Sequence, residues 1–273
     1  MARLTPTLSP LGYGAFKIGR NVGTKYDQAY ELPDAASVER LLNGVLDLGI
    51  NYIDTAPAYG ASEERIGQAI SHRRHEFVLS TKVGEFLESG VSRYDFSAAA
   101  VRKSVEASLR RLRTEVLDLM FIHADRDDVR IVQQTEVVPT LVSLRDAGLM
   151  RGIGLSGYTA EGFQAALSWA DAIMVTYHRD DDTLAPVIDE AHRRGLAVIV
   201  KKGLASGRLP AAEALSFVLG NPAVTSVVVG SLSLDHLRED LRIAEQVRTD
   251  WRPGTECDLS RARKEAVSRE RRP

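Results

Sequence analysis

Short apolar runs recur along the chain, and each is followed by a polar stretch carrying apolar residues at helical spacing. The runs are Leu11–Ala15, Tyr52–Thr55, Phe77–Lys82, Leu117–His123, Gly152–Ser156, Ala172–Tyr177, Ala197–Lys201 and Ser226–Val229. Most show no alternation of apolar and polar positions, which fits parallel strands covered on both faces. Between the first two, Asp34 reads as the N-cap of a helix with Val38, Leu41, Leu42, Val45 and Leu46 on one face. Ser62 reads as the cap of a short helix, with Glu63 and Glu64 in its first turn, where the helix dipole favours them. Further helices are predicted from Ser97 through Arg113 and over Thr135–Ala147, Thr159–Ala170, Thr183–Arg194, Pro210–Leu219 and Leu234–Val247. Eight strand–helix units predict an α/β fold, a closed (β/α)8 TIM barrel forming one domain over residues 1–273. An open doubly wound sheet is the alternative. A short hairpin is expected over Leu4–Leu11, long connections over Lys17–Pro33 and Val83–Phe96, and a polar tail with a frayed helix over Trp251–Pro273.

The chemistry gathers at strand ends. The stretch Ile50–Gly60 takes an apolar strand to a carboxylate, Asp54, then through a turn marked by Pro57 and Gly60 to a phenol, Tyr59. The third strand ends on Lys82 and the fourth on His123. In a barrel the carboxyl ends of all strands ring one mouth, so these four side chains are expected to meet there. A free tyrosine titrates near pH 10, too high for efficient proton transfer at neutrality. An ammonium beside it favours the phenolate, and a shift of two to three pH units takes roughly 3–4 kcal/mol. Asp54 would keep Lys82 charged and oriented, and His123 could donate a hydrogen bond to a substrate oxygen. An acid aimed at an oxygen, with neither nucleophile nor metal set, points to carbonyl protonation during reduction.

Composition narrows the class further. A length of 273 residues suits such a barrel, and 44% hydrophobic residues supply its core. A net charge of −2 gives no general attraction to nucleic acid or anionic membrane. The single cysteine, Cys257, allows no internal disulfide and fits a reducing compartment. The start lacks a secretory apolar run, and no apolar stretch approaches the ~18 residues of a membrane span. A soluble cytoplasmic protein is expected, with its oligomeric state open. Local pairs such as His123 with Asp125 lack a complete ligand set, so no metal site is expected.

The run Gly49–Gly60, Gly-Ile-Asn-Tyr-Ile-Asp-Thr-Ala-Pro-Ala-Tyr-Gly, resembles the most specific signature of the aldo-keto reductase superfamily. Leu79–Lys82 and Leu117–His123 resemble two more of its motifs, and the likeness covers nearly the whole chain. The resemblance implies hydride transfer between a nicotinamide dinucleotide and an aldehyde or ketone, with Asp54, Tyr59, Lys82 and His123 as catalytic set and Tyr59 as acid. It also implies cofactor contacts at Gly14, Ala15 and Phe16, at Ser156 and Gly157, at Met174, and at Lys201, Lys202, Leu204 and Ser206. The phosphate end falls to Gly230, Ser231, Ser233, His236 and Asp240. Several positions depart from the family pattern. Gly157 stands where Asn is common, Met174 where Gln is usual, and Lys201-Lys202-Gly203-Leu204 where many members carry Tyr-Ser-Pro-Leu. His236 replaces a frequent Arg for the 2′-phosphate and Asp240 a usual Asn, so NADPH is the default and NADH use stays open.

Two other readings remain. Some relatives serve as nucleotide-binding regulatory subunits with little turnover, and the altered nicotinamide positions fit that role. A Schiff-base lyase using Lys82, Lys201 or Lys202 is the third, since crowded cations depress a lysine pKa. The substrate and the direction of reaction are not written in the motifs. Lys17–Pro33 and Val83–Phe96 are expected to shape the substrate pocket.

Overall fold

A computed structural model describes residues 5–6, 8–23, 30–249 and 256–257. Eight parallel strands close into a barrel in chain order. They are β1 (Leu11–Gly14), β2 (Tyr52–Asp54), β3 (Val78–Val83) and β4 (Leu117–His123), then β5 (Met150–Ser156), β6 (Ala172–Thr176), β7 (Ala197–Lys201) and β8 (Ser226–Val229). β8 pairs with β1, Val227 opposite Leu11, and this closes the ring. The doubly wound alternative is thereby excluded. The predicted strands all form, with ends displaced by no more than two residues.

Two apolar layers hold the barrel. The interior is filled by Tyr52, Val78, Leu119, Phe121, Ala172, Met174, Ala197 and Ile199. A larger layer lies between the strands and the surrounding helices, and includes Val38, Leu41, Leu42 and Val45 of α1 (Ala35–Asp47). Those are the positions that the 3.6-residue spacing predicts. Asp34 caps α1 as expected, its carboxylate accepting from Ser37 N at 2.7 Å. Truncating a ring as buried as Phe121 removes contacts on every side, at a cost of about 3–5 kcal/mol.

Several expectations are corrected. Among the described residues, Thr5–Pro6 pairs antiparallel with Glu256–Cys257 and not within a hairpin over Leu4–Leu11. The connection Val83–Phe96 is an antiparallel hairpin, Glu85–Glu88 against Val91–Tyr94. The connection after β4 carries a helix of its own, Asp128–Gln134, which the sequence reading does not include. Ser62 does not cap its helix. Its hydroxyl donates inward to Ala15 O at 2.8 Å and bonds Thr55 Oγ1 at 2.9 Å, stitching the turn after β2 to the end of β1. Glu63 and Glu64 do stand in the first turn of that helix, and Glu63 is also buried, pairing with Arg111 and Thr81. Most of Trp251–Pro273 and part of Lys17–Pro33 lie outside the described residues.

Candidate active site

Asp54 closes β2 and Lys82 is the penultimate residue of β3, so the barrel register brings both to one mouth. Lys82 Nζ donates to both Asp54 oxygens, at 2.7 and 2.6 Å, and to Thr55 O at 2.8 Å. All three ammonium protons are therefore taken. Only 1% of Lys82 and 4% of Asp54 is exposed. A pair this deep persists only because further hydrogen bonds complete it. Ser80 Oγ donates to Asp54 Oδ1 at 2.7 Å, and Tyr52 Oη bonds Ser80 Oγ at 2.8 Å.

Tyr59 ends the 3-10 turn Pro57–Tyr59, and the Lys82 ammonium lies 4.9 Å from its ring centroid. Gly60 follows at φ +61°, ψ −122°, a conformation open essentially to glycine alone. A Cβ on Gly60 would meet Gly19 O at 2.3 Å, and one on Gly19 would meet Tyr59 O at 2.2 Å. The two glycines thus let the segment after β1 press directly on the tyrosine turn. Arg20 Nη1 adds a hydrogen bond to Ala58 O at 2.9 Å, and Phe16 meets the Tyr59 ring edge-on at 5.0 Å. The His123 ring stands perpendicular to Tyr59 with centroids 6.1 Å apart. The four residues singled out by sequence do converge, Tyr59 from its turn and the other three from strand ends.

A fifth residue joins them unannounced. Glu85, at the base of the hairpin, places Oε2 2.7 Å from His123 Nδ1. Burial alone would push the Glu85 carboxyl up, but the contact and charge of His123 outweigh it and bring the pKa down to about 2. Burial lowers the His123 pKa, with Glu85 opposing. No linear motif encodes this pair; only the hairpin's return over the mouth creates it.

On the far side, Lys201 ends β7 and donates to Ser156 Oγ at 2.9 Å and to Gly157 O at 3.1 Å. Burial, then the charges of Lys202 and Lys82, bring its pKa down to about 7. Its ammonium sits 4.7 Å from the Tyr158 ring centroid. Gly157 has a structural reason: a Cβ there would meet Asp128 Oδ2 at 2.8 Å. That carboxylate accepts from Tyr158 N at 2.7 Å and Thr159 N at 2.8 Å, fixing the loop that carries the ring.

The remaining candidates divide. Gly14 is buried at the end of β1, and Ala15 and Phe16 follow it in a 3-10 turn. Lys202 and Ser206 have positive φ, 57° and 63°, in the loop after β7 that also holds Leu204. Gly230, Ser231 and Ser233 lead from β8 into the helix Leu234–Val247, where Ser233 Oγ accepts from the exposed His236 N at 3.3 Å. Two expectations fail to find a reachable side chain. Met174 is only 1% exposed and belongs to the barrel interior, and Asp240 is buried with its carboxyl pKa raised by desolvation.

A parallel eight-stranded barrel with Asp, Tyr, Lys and His at its carboxyl mouth defines a class of oxidoreductases. The aldo/keto reductase family matches residues 10–213, and the chain belongs to that family. It is 27% identical over 286 residues to L-galactose dehydrogenase of Arabidopsis thaliana, covering 89% of this chain and 86% of that one. An aldo-keto reductase structure from Pseudomonas aeruginosa superposes with a TM-score of 0.82 at 40% identity, over 90% of this chain and 96% of the other. The holo form of an aldo-keto reductase from Bacillus halodurans gives 0.72 at 25% identity, over 96% and 92%. Among the described residues no helix is long and apolar enough to cross a membrane, and no group of His, Cys, Asp and Glu gathers to hold a metal ion.

Proposed function

We propose that the protein is an NAD(P)H-dependent reductase of a small aldehyde or ketone, or the reverse dehydrogenase, with Tyr59 as the proton donor. The observation that carries this reading is the Lys82 ammonium, held on both oxygens of Asp54 and facing the Tyr59 ring at 4.9 Å. The bound dinucleotide supplies the hydride. Tyr59 gives its phenolic proton to the carbonyl oxygen, and the Lys82 charge favours the phenolate left behind. A lone unit charge ~5 Å from a phenolate oxygen is worth about 3 kcal/mol at an effective dielectric of 20, and the 4.9 Å here runs to the ring centroid. Asp54, bonded to the same ammonium, offsets part of that field, so a bare lysine would overstate the effect. His123 holds the substrate oxygen in place, with the Glu85 carboxylate 2.7 Å from its Nδ1 as the adjoining negative charge.

The donor set suits a dinucleotide unevenly. The loop and helix start at Gly230–His236 offer backbone amides, hydroxyls and an exposed imidazole to phosphate. At the nicotinamide end Ser156 and Lys201 supply the polar groups, while the buried Met174 offers none. NADPH is the favoured form, His236 giving a part-time charge for the 2′-phosphate. We place the protein in the cytoplasm, as a single-domain enzyme acting on small molecules and not on nucleic acid. Fluorescence titration with NADPH and NADH, followed by a panel of aldehydes, tests the reading. Tight dinucleotide binding with turnover supports it; binding without turnover across the panel would favour a regulatory subunit.

A further inference from the structure

Two lysines reach the same mouth from β3 and β7, and only one has its counter-charge. Lys82 is bonded to both oxygens of Asp54. Lys201 donates to two neutral oxygens, Ser156 Oγ and Gly157 O, and forms no ion pair among the described residues. Its strongest charged neighbours are of like sign, Lys202 and Lys82, while Asp54 and Asp128 attract it only from beyond contact. An ammonium carries three donors, so one is left over. A half-buried cation whose hydrogen bonds go only to neutral oxygens is poorly compensated, and a ligand anion is what would relieve it.

The surroundings form a built site. Lys201, Lys202 and Arg126 stand 4.7, 5.9 and 5.5 Å from the centroid of one ring, Tyr158. That ring is held by the buried Asp128 carboxylate through two backbone amides. Lys201 ends β7 as His123 ends β4, so both reach the carboxyl mouth of the barrel, and the charges of Lys82 and Lys201 both act on the imidazole.

We propose that Lys201 is an oxyanion-binding residue of the mouth, which takes a carboxylate or phosphate oxygen of the bound small molecule on its third N–H. This rests on the oxidoreductase reading for its location and deepens it by naming the ligand chemistry. The oxyanion has two sources: a carboxylate on the carbonyl substrate, or a phosphate of the dinucleotide.

Wild type, Lys201→Met and Lys201→Arg separate the possibilities. NADPH binding is followed by fluorescence, binding of the redox-inert succinate by calorimetry, and kcat/KM with succinic semialdehyde and with butanal. If the substrate carries the anion, Lys201→Met weakens succinate at least tenfold and lowers the ratio of kcat/KM for the acidic over the neutral aldehyde at least tenfold. If the dinucleotide carries it, NADPH affinity falls at least tenfold instead. In either case Lys201→Arg recovers much of the loss, which a folding defect would not allow. The proposal is overturned if NADPH and succinate affinities and the aldehyde ratio all stay within twofold. It is equally overturned if borohydride traps butanal on Lys201, which would make the lysine a Schiff-base amine. Wild type that binds succinate through Lys201 but reduces no aldehyde would sink the oxidoreductase reading and leave this one standing.

Discussion

Glu85 Oε2 stands 2.7 Å from His123 Nδ1, so the hairpin after β3 supplies a carboxylate to the histidine at the end of β4. Glu85 is ionised throughout the neutral range, and it favours the imidazolium that burial disfavours. Glu85→Gln should therefore lower the His123 pKa further, because the carboxylate is what opposes the effect of burial. An NMR titration of the imidazole reads this directly, and the limb of kcat/KM that reports histidine deprotonation should move to lower pH. An unchanged His123 titration would show that the contact carries no charge coupling.

Asp54→Asn leaves the Lys82 ammonium deep in the barrel without its carboxylate. Removing one partner of such a pair is expected to cost about 3–5 kcal/mol. The double variant Asp54→Asn/Lys82→Met should be more stable than Asp54→Asn alone, because the orphaned charge is gone. Urea unfolding of wild type, Asp54→Asn, Lys82→Met and the double variant measures the coupling; additive losses would contradict the pairing.

Gly19→Ala tests how the tyrosine turn is held. The new methyl would lie 2.2 Å from Tyr59 O and 2.3 Å from Ser62 N, both backbone atoms with little room to yield. A stability loss of about 1–3 kcal/mol is expected. Turnover should fall by roughly a hundredfold as the phenol shifts by a fraction of an ångström or more. Dinucleotide affinity should change much less.

Lys201 should reduce stability in a pH-dependent way. Its folded pKa, about 7, lies below the ordinary 10.5. The unfolded chain therefore holds the proton more tightly, and the penalty is fully present below pH 7 and fades as pH rises towards 10.5. Lys201→Met removes that penalty but loses hydrogen bonds to Ser156 and Gly157, about 1 kcal/mol each. At pH 6 the variant should gain roughly 1 kcal/mol after allowance for the amine's partial exposure. By pH 10 the advantage should have vanished. Denaturant unfolding at the two pH values checks it, and a variant weaker at pH 6 than at pH 10, relative to wild type, would reverse the sign.

Strand ends were the most legible part of the molecule. Asp54, Lys82 and His123 each close an apolar run, so a barrel topology alone carries them to one mouth. The helix faces were legible for the same reason, since burial at Val38, Leu41, Leu42 and Val45 follows the helical repeat. Glu85 was hidden because its partner is 38 residues away and the hairpin joining them sits in a segment without strong periodicity. Ser62 differs for a related reason: a serine at a helix start looks like a cap, whereas packing on the end of β1 turns its hydroxyl inwards. Glu63 does stand in the first turn, but its burial against Thr81 of β3 has no sequence signal. Asp128 had no signature either, since it acts on amides 30 and 31 residues away.

The central claim is that the Tyr59 phenol delivers the proton under the charge of Lys82. The direct measurement is single-turnover oxidation of bound NADPH by an aldehyde, in wild type and in Tyr59→Phe. Loss of the hydride-transfer step by three orders of magnitude or more, with NADPH affinity nearly unchanged, is the expected result. Turnover that survives the loss of the hydroxyl would contradict the account.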